Sequence, residues 1–165
     1  MTNNTSVVVH VWEMSLRHRS PGHASIDLDG EYISFFPGEC TSHTYQSRSL
    51  YEDVKHYQST AQRHHSITLK GLNVFSMQIR WNILALEQVC WSAAGTQCAE
   101  LVLEILNAGG AENCNSGWVK PLKWPSPRLL PEDLLGYVRG VKSGLDDTGG
   151  KCALPDGLRP SGMKR

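Results

Sequence analysis

His23-Ala24-Ser25-Ile26-Asp27-Leu28-Asp29-Gly30-Glu31-Tyr32-Ile33-Ser34-Phe35-Phe36 is the stretch that decides how this chain folds. Two alternating runs flank Asp29-Gly30, a pair that favours the positive φ angles of a tight type I′ turn. With those two residues at the turn, Leu28 faces Glu31, Ile26 faces Ile33 and Ala24 faces Phe35. One sheet face then carries Ala24, Ile26, Leu28, Ile33 and Phe35, an apolar set suited to a core. The other carries His23, Ser25, Asp27, Tyr32, Ser34 and Phe36. His23 therefore opens its strand on the more polar face, beside Gly22, with Ser34 as its diagonal cross-strand neighbour. The competing reading of His23 is a strand-end histidine bonded to backbone.

A second stretch, Thr96-Gln97-Cys98-Ala99-Glu100-Leu101-Val102, reads as the start of a helix. Thr96 is a good N-cap residue, and Ala99, Val102, Leu103 and Leu106 recur at helical spacing. Gly109-Gly110 supplies the stop. Cys98 falls in the first turn, where unpaired N–H groups and the helix dipole favour a thiolate. The same N–H groups can hold the oxyanion of a tetrahedral intermediate, which nominates Gln97 and Ala99 as oxyanion or substrate-binding residues. The small residues Ser92-Ala93-Ala94-Gly95 would admit a substrate. The alternative for Cys98 is a small hydrophobe packed under a helix end.

Around these two stretches the pattern is that of an α+β domain. The run from Ser6 to Trp12, rich in valine, predicts a strand buried on both faces. Helices are expected over 50–57, 73–87 and 131–141, the last with Pro131 near its start and Glu132 and Asp133 in its first turn. A short strand is expected over 66–69, and Trp118 to Pro127 reads as extended chain broken by prolines. The domain should span residues 1–142, and the Gly-, Asp- and Pro-rich segment 143–165 reads as a disordered tail.

Composition narrows the function classes. Sixteen basic residues balance sixteen acidic ones, and the basic face that phosphate binding requires is missing, so no nucleic-acid partner is expected. Stable membrane insertion is not expected either, because no apolar run has the length of a membrane span. The N-terminus lacks the pattern of a cleavable signal peptide. The expected location is the cytoplasm, or outside the cell by a route without such a signal. The five cysteines, Cys40, Cys90, Cys98, Cys114 and Cys152, contain no CxxC pair and no metal-ligand spacing with the histidines. They read as mostly buried, reduced thiols, and no metal or cofactor is expected. His10 lies in a valine run and reads as a core histidine. His56, His64 and His65 read as solvated, Glu100 as a surface acid matched to the helix dipole, and Cys90 as a buried residue. Trp118 and Trp124 either line a cleft or cover the core.

Gly22-His23-Ala24-Ser25-Ile26 opening a hairpin, followed by Gln97-Cys98-Ala99-Glu100-Leu101-Val102 opening a helix, resembles the circularly permuted papain-like fold. This is the NlpC-type superfamily of cysteine hydrolases in its His-before-Cys order, shared with lecithin–retinol acyltransferase-like proteins. The resemblance covers roughly 23–110. It implies an antiparallel sheet packed against the cysteine helix, and a catalytic set of Cys98, His23 and a polar strand residue, Ser34. The family commonly has Asn or Asp before the cysteine, where this chain has Gln97, and His, Asn or Gln at the third position. The closing segment also looks like small bacterial thiol hydrolases used as secreted toxins.

Together these readings predict a cysteine hydrolase that forms an acyl-enzyme at Cys98 with His23 as base. The expected substrate is an amide: a peptide, a peptidoglycan cross-link or a protein glutamine side chain. A cognate immunity or inhibitor protein would suit a toxin or effector. The alternatives are a thiol phospholipase or acyltransferase acting on lipids, and an inactive binding module that keeps the fold.

Overall fold

A computed structural model describes residues 5–42, 45–91, 97–115 and 129–162. Its secondary structure is α+β, with four strands and four α-helices among the described residues. β1 (Ser6–Trp12), β2 (His23–Leu28), β3 (Glu31–Ser34) and β4 (His64–Lys70) form one antiparallel sheet in the order β3-β2-β1-β4. The valine-rich β1 is a central strand, as its β-branched residues suit. The β2–β3 hairpin pairs Leu28 with Glu31 and Ile26 with Ile33, and Asp29 and Gly30 both take positive φ, 55° and 100°.

That register divides the sheet into two different faces. Val7, Val9, Val11, Ala24, Ile26, Leu28, Ile33, Phe35 and Leu69 are buried in one continuous core. α2 (Val74–Glu87), α3 (Cys98–Ala108) and α4 (Pro131–Thr148) cover them with Met77, Leu84, Leu101, Ile105, Leu106, Leu134 and Val138. On the opposite face Trp12 and Phe36 pack with Tyr57 of α1 (Leu50–Gln58) into a second, smaller cluster. α1 starts in a capping box: Ser49 Oγ accepts from the Glu52 N–H, and the Glu52 carboxylate accepts from the Ser49 N–H at 2.7 Å. Two of the free amides at the helix start are thereby satisfied.

Three expectations are corrected. The last helix does not stop at 141. It runs to Thr148, with Val141, Gly144 and Leu145 buried, and Cys152 and Ala153 are buried beyond it. The segment from 143 is thus packed chain, because Leu145 and Cys152 belong to the main core. Gly144 explains how: a Cβ there would lie 1.7 Å from the Cys114 carbonyl oxygen, so only glycine lets the helix pass. Second, the cysteines are not all reduced. Cys40 is bonded to Cys90 and Cys114 to Cys152, across separations of 50 and 38 residues that spacing alone does not betray. Third, Cys90 is exposed, not buried. The expected Thr96 cap, the small residues 92–95 and the 118–127 segment with its two tryptophans lie outside the described residues.

Candidate active site

Cys98 is the free cysteine, 8% exposed, and the first residue of α3. The helix begins there because Gln97 is extended, at φ −121° and ψ 174°, and the Glu100 carboxylate accepts from the Gln97 N–H at 3.2 Å. Glu100 is thus a capping acid, which leaves the following N–H groups without intrahelical acceptors. The sulfur receives the backbone N–H groups of Ala24 and Ala99 and a hydrogen bond from His23. Burial works against its charge, but the His23 charge, that hydrogen bond and the two amides together outweigh it. The thiol is held below its ordinary value.

His23 opens β2, opposite Trp12 of β1. Gly22 before it takes φ +83°, and a Cβ there would lie 2.5 Å from the Trp12 carbonyl oxygen. The imidazole is 2% exposed and enclosed by rings: Phe36 at 4.3 Å, Tyr57 at 5.4 Å and Trp12 at 5.7 Å between centroids. Its Nε2 meets Ser34 Oγ at 2.8 Å, which leaves the Nδ1 edge for the sulfur. Desolvation would lower its pKa; the Cys98 charge and Asp53 outweigh that and push it up to about 9. Both shifts run in the direction that favours an imidazolium facing a thiolate.

Asp53 of α1 completes the site, and no residue-level argument from the sequence nominated it. Its Oδ2 accepts from the Ser34 hydroxyl at 2.6 Å and from the Tyr32 hydroxyl at 2.6 Å, and lies 3.6 Å from His23 Nε2. At that last distance the carboxylate acts on the ring as a charge, with the Ser34 hydroxyl bridging the two. Burial alone would raise the Asp53 pKa, but contacts with His23, Ser34 and Tyr32 keep it below the usual value. The Ser25 hydroxyl lies 2.6 Å from the Tyr32 oxygen and extends the network into β2. Asp53 Oδ1 is buried with no hydrogen-bond partner among the described residues. One signal could have found this residue. Leu50, Asp53, Val54 and Tyr57 recur at helical spacing, and Asp53 is the acid on that inward stripe.

His23 and Ser34, neighbours across the hairpin, thus meet Asp53 with Ser34 between histidine and aspartate, and Cys98, distant in sequence, lines the same cleft as His23. Of the two expected oxyanion or substrate-binding residues, Gln97 lines the cleft above the cysteine, and its backbone N–H is taken by Glu100. Ala99 is fully buried and directs its N–H to the sulfur. The cleft holds about 350 Å³, and Phe35, Phe36, Tyr57, Trp91, Leu130 and Pro131 give it an apolar lining. His18, Arg19 and His56 also line it, so His56 is part of the site's surroundings. His10 is buried on the sheet face and bonded to His64 and Ser66. It makes no contact with Cys98 that would let it replace His23.

Residues 34–152 match a family model described as the IcsB middle domain. The matched span holds Asp53 and Cys98 and begins after His23. Neither the curated proteins nor the solved structures contain a significant match to the chain. With well over half of its length matched, the chain belongs to the IcsB middle-domain family.

Proposed function

We propose that this chain is a cysteine-dependent acyl-transfer enzyme of papain-like type that works through an acyl-enzyme at Cys98. The observation that carries the reading is that Cys98, a buried free cysteine at a helix N-terminus, lines one cleft with His23, whose ring is tied through Ser34 to Asp53. In the first half-reaction the Cys98 thiolate attacks the acyl carbonyl carbon. The C=O electron pair moves onto oxygen, and the helix-start N–H of Cys98 stabilises that charge. His23 Nδ1 then gives its proton to the leaving group as the tetrahedral intermediate collapses to a thioester. In the second half-reaction the neutral His23 takes a proton from water or another nucleophile. That nucleophile attacks the thioester and releases the thiolate. Ser34 and Asp53 hold the ring and its charge; they are positioning residues.

The sequence-based preference for an amide substrate stands as the first reading, with hydrolysis as the outcome. A second reading, transfer or hydrolysis of an apolar acyl group, is favoured by the cleft lining of Phe35, Phe36, Tyr57, Trp91 and Leu130. Intact-mass analysis after incubation with activated acyl donors tests both. A covalent adduct on Cys98, absent in Cys98→Ala, supports acyl-enzyme chemistry. Preference for long-chain over short acyl donors selects the second reading, and a protein that forms no adduct with either class is a binding module.

A further inference from the structure

The loop between β1 and β2 brings a permanent positive charge to the cleft. Arg19 lines the same cleft as Cys98, with His18, His56 and Gln62 beside it. No aspartate or glutamate stands among the described residues of that lining. Arg19 makes no ion pair among the described residues either. The acids around the loop have other partners. Glu13, the nearest in sequence, meets His65 at 2.7 Å and Arg63 at 3.9 Å. Glu132 accepts the Met14 N–H at 3.2 Å. An anion entering the cleft therefore meets a guanidinium and no lining carboxylate to repel it.

The backbone that carries Arg19 is held in place. Ser15 and Ser20 exchange two N–H···O bonds of 2.9 and 3.0 Å, and the Arg19 N–H donates to the Leu16 carbonyl at 3.2 Å. Gln62 Nε2 donates to Ser20 Oγ at 3.0 Å, and the same oxygen accepts the Gly22 N–H at 3.3 Å. Within this turn Arg19 takes φ +50°, a region where glycine or asparagine sits with less strain. An arginine kept at such a position points to a use for its side chain. The walls formed by Phe36, Trp91 and Leu130 are apolar, and low-dielectric walls concentrate the field of a charge inside a cleft. The planar guanidinium fork suits the paired oxygens of a carboxylate or a phosphate.

We propose that Arg19 is a specificity-determining residue: the acyl compound that reaches Cys98 carries an oxyanion, a carboxylate or a phosphate, and the Arg19 guanidinium binds it. This rests on the acyl-enzyme reading of the cleft and states which acyl compounds the cleft takes. The probes are N-iodoacetylglycine and N-iodoacetylglycinamide. Both bring the same carbon to the sulfur, from which the thiolate displaces iodide, and only the first has a carboxylate at its far end. Their rates at Cys98 are followed by peptide mass analysis, and their ratio is referred to the ratio for mercaptoethanol. That corrected ratio should be about threefold or more at low ionic strength and fall toward one near 1 M salt, where charges are screened beyond about 3 Å. Arg19→Gln should remove most of the preference. Arg19→Gly, which suits the backbone angle, should do the same, and Arg19→Lys should retain part of it. Arg17→Gln, on the same loop but outside the cleft lining, should leave the ratio as in the wild type. At constant ionic strength, stronger competition by inorganic phosphate than by acetate marks a phosphate-bearing substrate, and the reverse order marks a carboxylate. Slow alkylation of Cys98 by both reagents counts against the acyl-enzyme reading, and the ratio can still be measured in that case. A ratio that Arg19→Gln and Arg19→Gly leave unchanged overturns the oxyanion subsite, as does an equal fall in Arg17→Gln.

Discussion

At the scale of single residues, the chemistry rests on Asp53. Its carboxylate is fully buried and faces a charged imidazole, so removing it strands that charge, a loss of about 3–5 kcal/mol in comparable buried pairs. Asp53→Asn keeps the shape and removes the charge. We expect it to slow Cys98 alkylation by iodoacetamide at neutral pH by at least tenfold and to move the alkylation profile to higher pH. Ser34→Ala should have a smaller effect, because the carboxylate can still act across 3.6 Å. The pH dependence of the wild type follows from the pair itself. Cys98 is held below its ordinary value and His23 is raised to about 9, and both shifts favour the ion pair. Acyl transfer should fall as pH rises through about 9, where His23 loses the proton it gives the leaving group, whereas alkylation should not. A parallel fall in both rates would contradict the assignment of His23 as the acid.

His10 supplies the opposite titration. Burial and the neighbouring His64 push its pKa down to about 4, against 6.5 for a free imidazole, so the unfolded chain binds more protons between those limits. Stability therefore declines as pH falls from 6.5 toward 4, by about 3 kcal/mol at most at 1.36 kcal/mol per unit. Denaturant titrations should show a shallower decline over that window in His10→Gln than in the wild type.

At the scale of elements, two local devices hold the site. The capping box of α1 fixes where Asp53 meets the sheet, so Ser49→Ala should cost about 1 kcal/mol of stability. Gly144 fixes the path of α4 past Cys114, and Gly144→Ala should cost about 1–3 kcal/mol or more by overpacking, read as a lower melting temperature. The elements themselves were largely legible. The Asp29-Gly30 turn gives the hairpin register, and Cys98 was placed at its helix start. Asp53 carries no such local mark, because the helix dipole alone already favours an acid in the first turn. The end of α4 is hidden for a related reason: Gly144, Asp146-Asp147 and Gly149-Gly150 suggest a disordered tail from 143, and only contact with Cys114 turns Gly144 into a packing requirement.

At the scale of the whole molecule, two cross-links tie the outer segments to the core. In a chain-entropy view, closing loops of about 38 and 50 residues stabilises the fold by on the order of 4 kcal/mol each. Cys40–Cys90 lies on the surface and Cys114–Cys152 in the core. Mild dithiothreitol should therefore open Cys40–Cys90 first, seen by mass-tagging of released thiols, with a smaller loss of melting temperature than full reduction in denaturant followed by refolding. The first bridge joins the segment after Phe36, which stacks on His23, to the residue before Trp91, which lines the cleft. Its reduction should change Cys98 reactivity more than reduction of the buried one.

Local patterning in the chain carries the α+β class, the hairpin register and the places of Cys98 at a helix start and His23 at a strand start. Alternation, turn chemistry and helix capping are local physics, written within a few residues. The approach of Asp53 to His23, the two cysteine pairings and the hydrogen bonds of His10 with His64 and Ser66 come only from tertiary structure. Each joins residues 30 or more positions apart or lying on different elements, and burial is what makes the contact matter. Asp53 is an ordinary carboxylate until the sheet takes it out of water beside a charged imidazole.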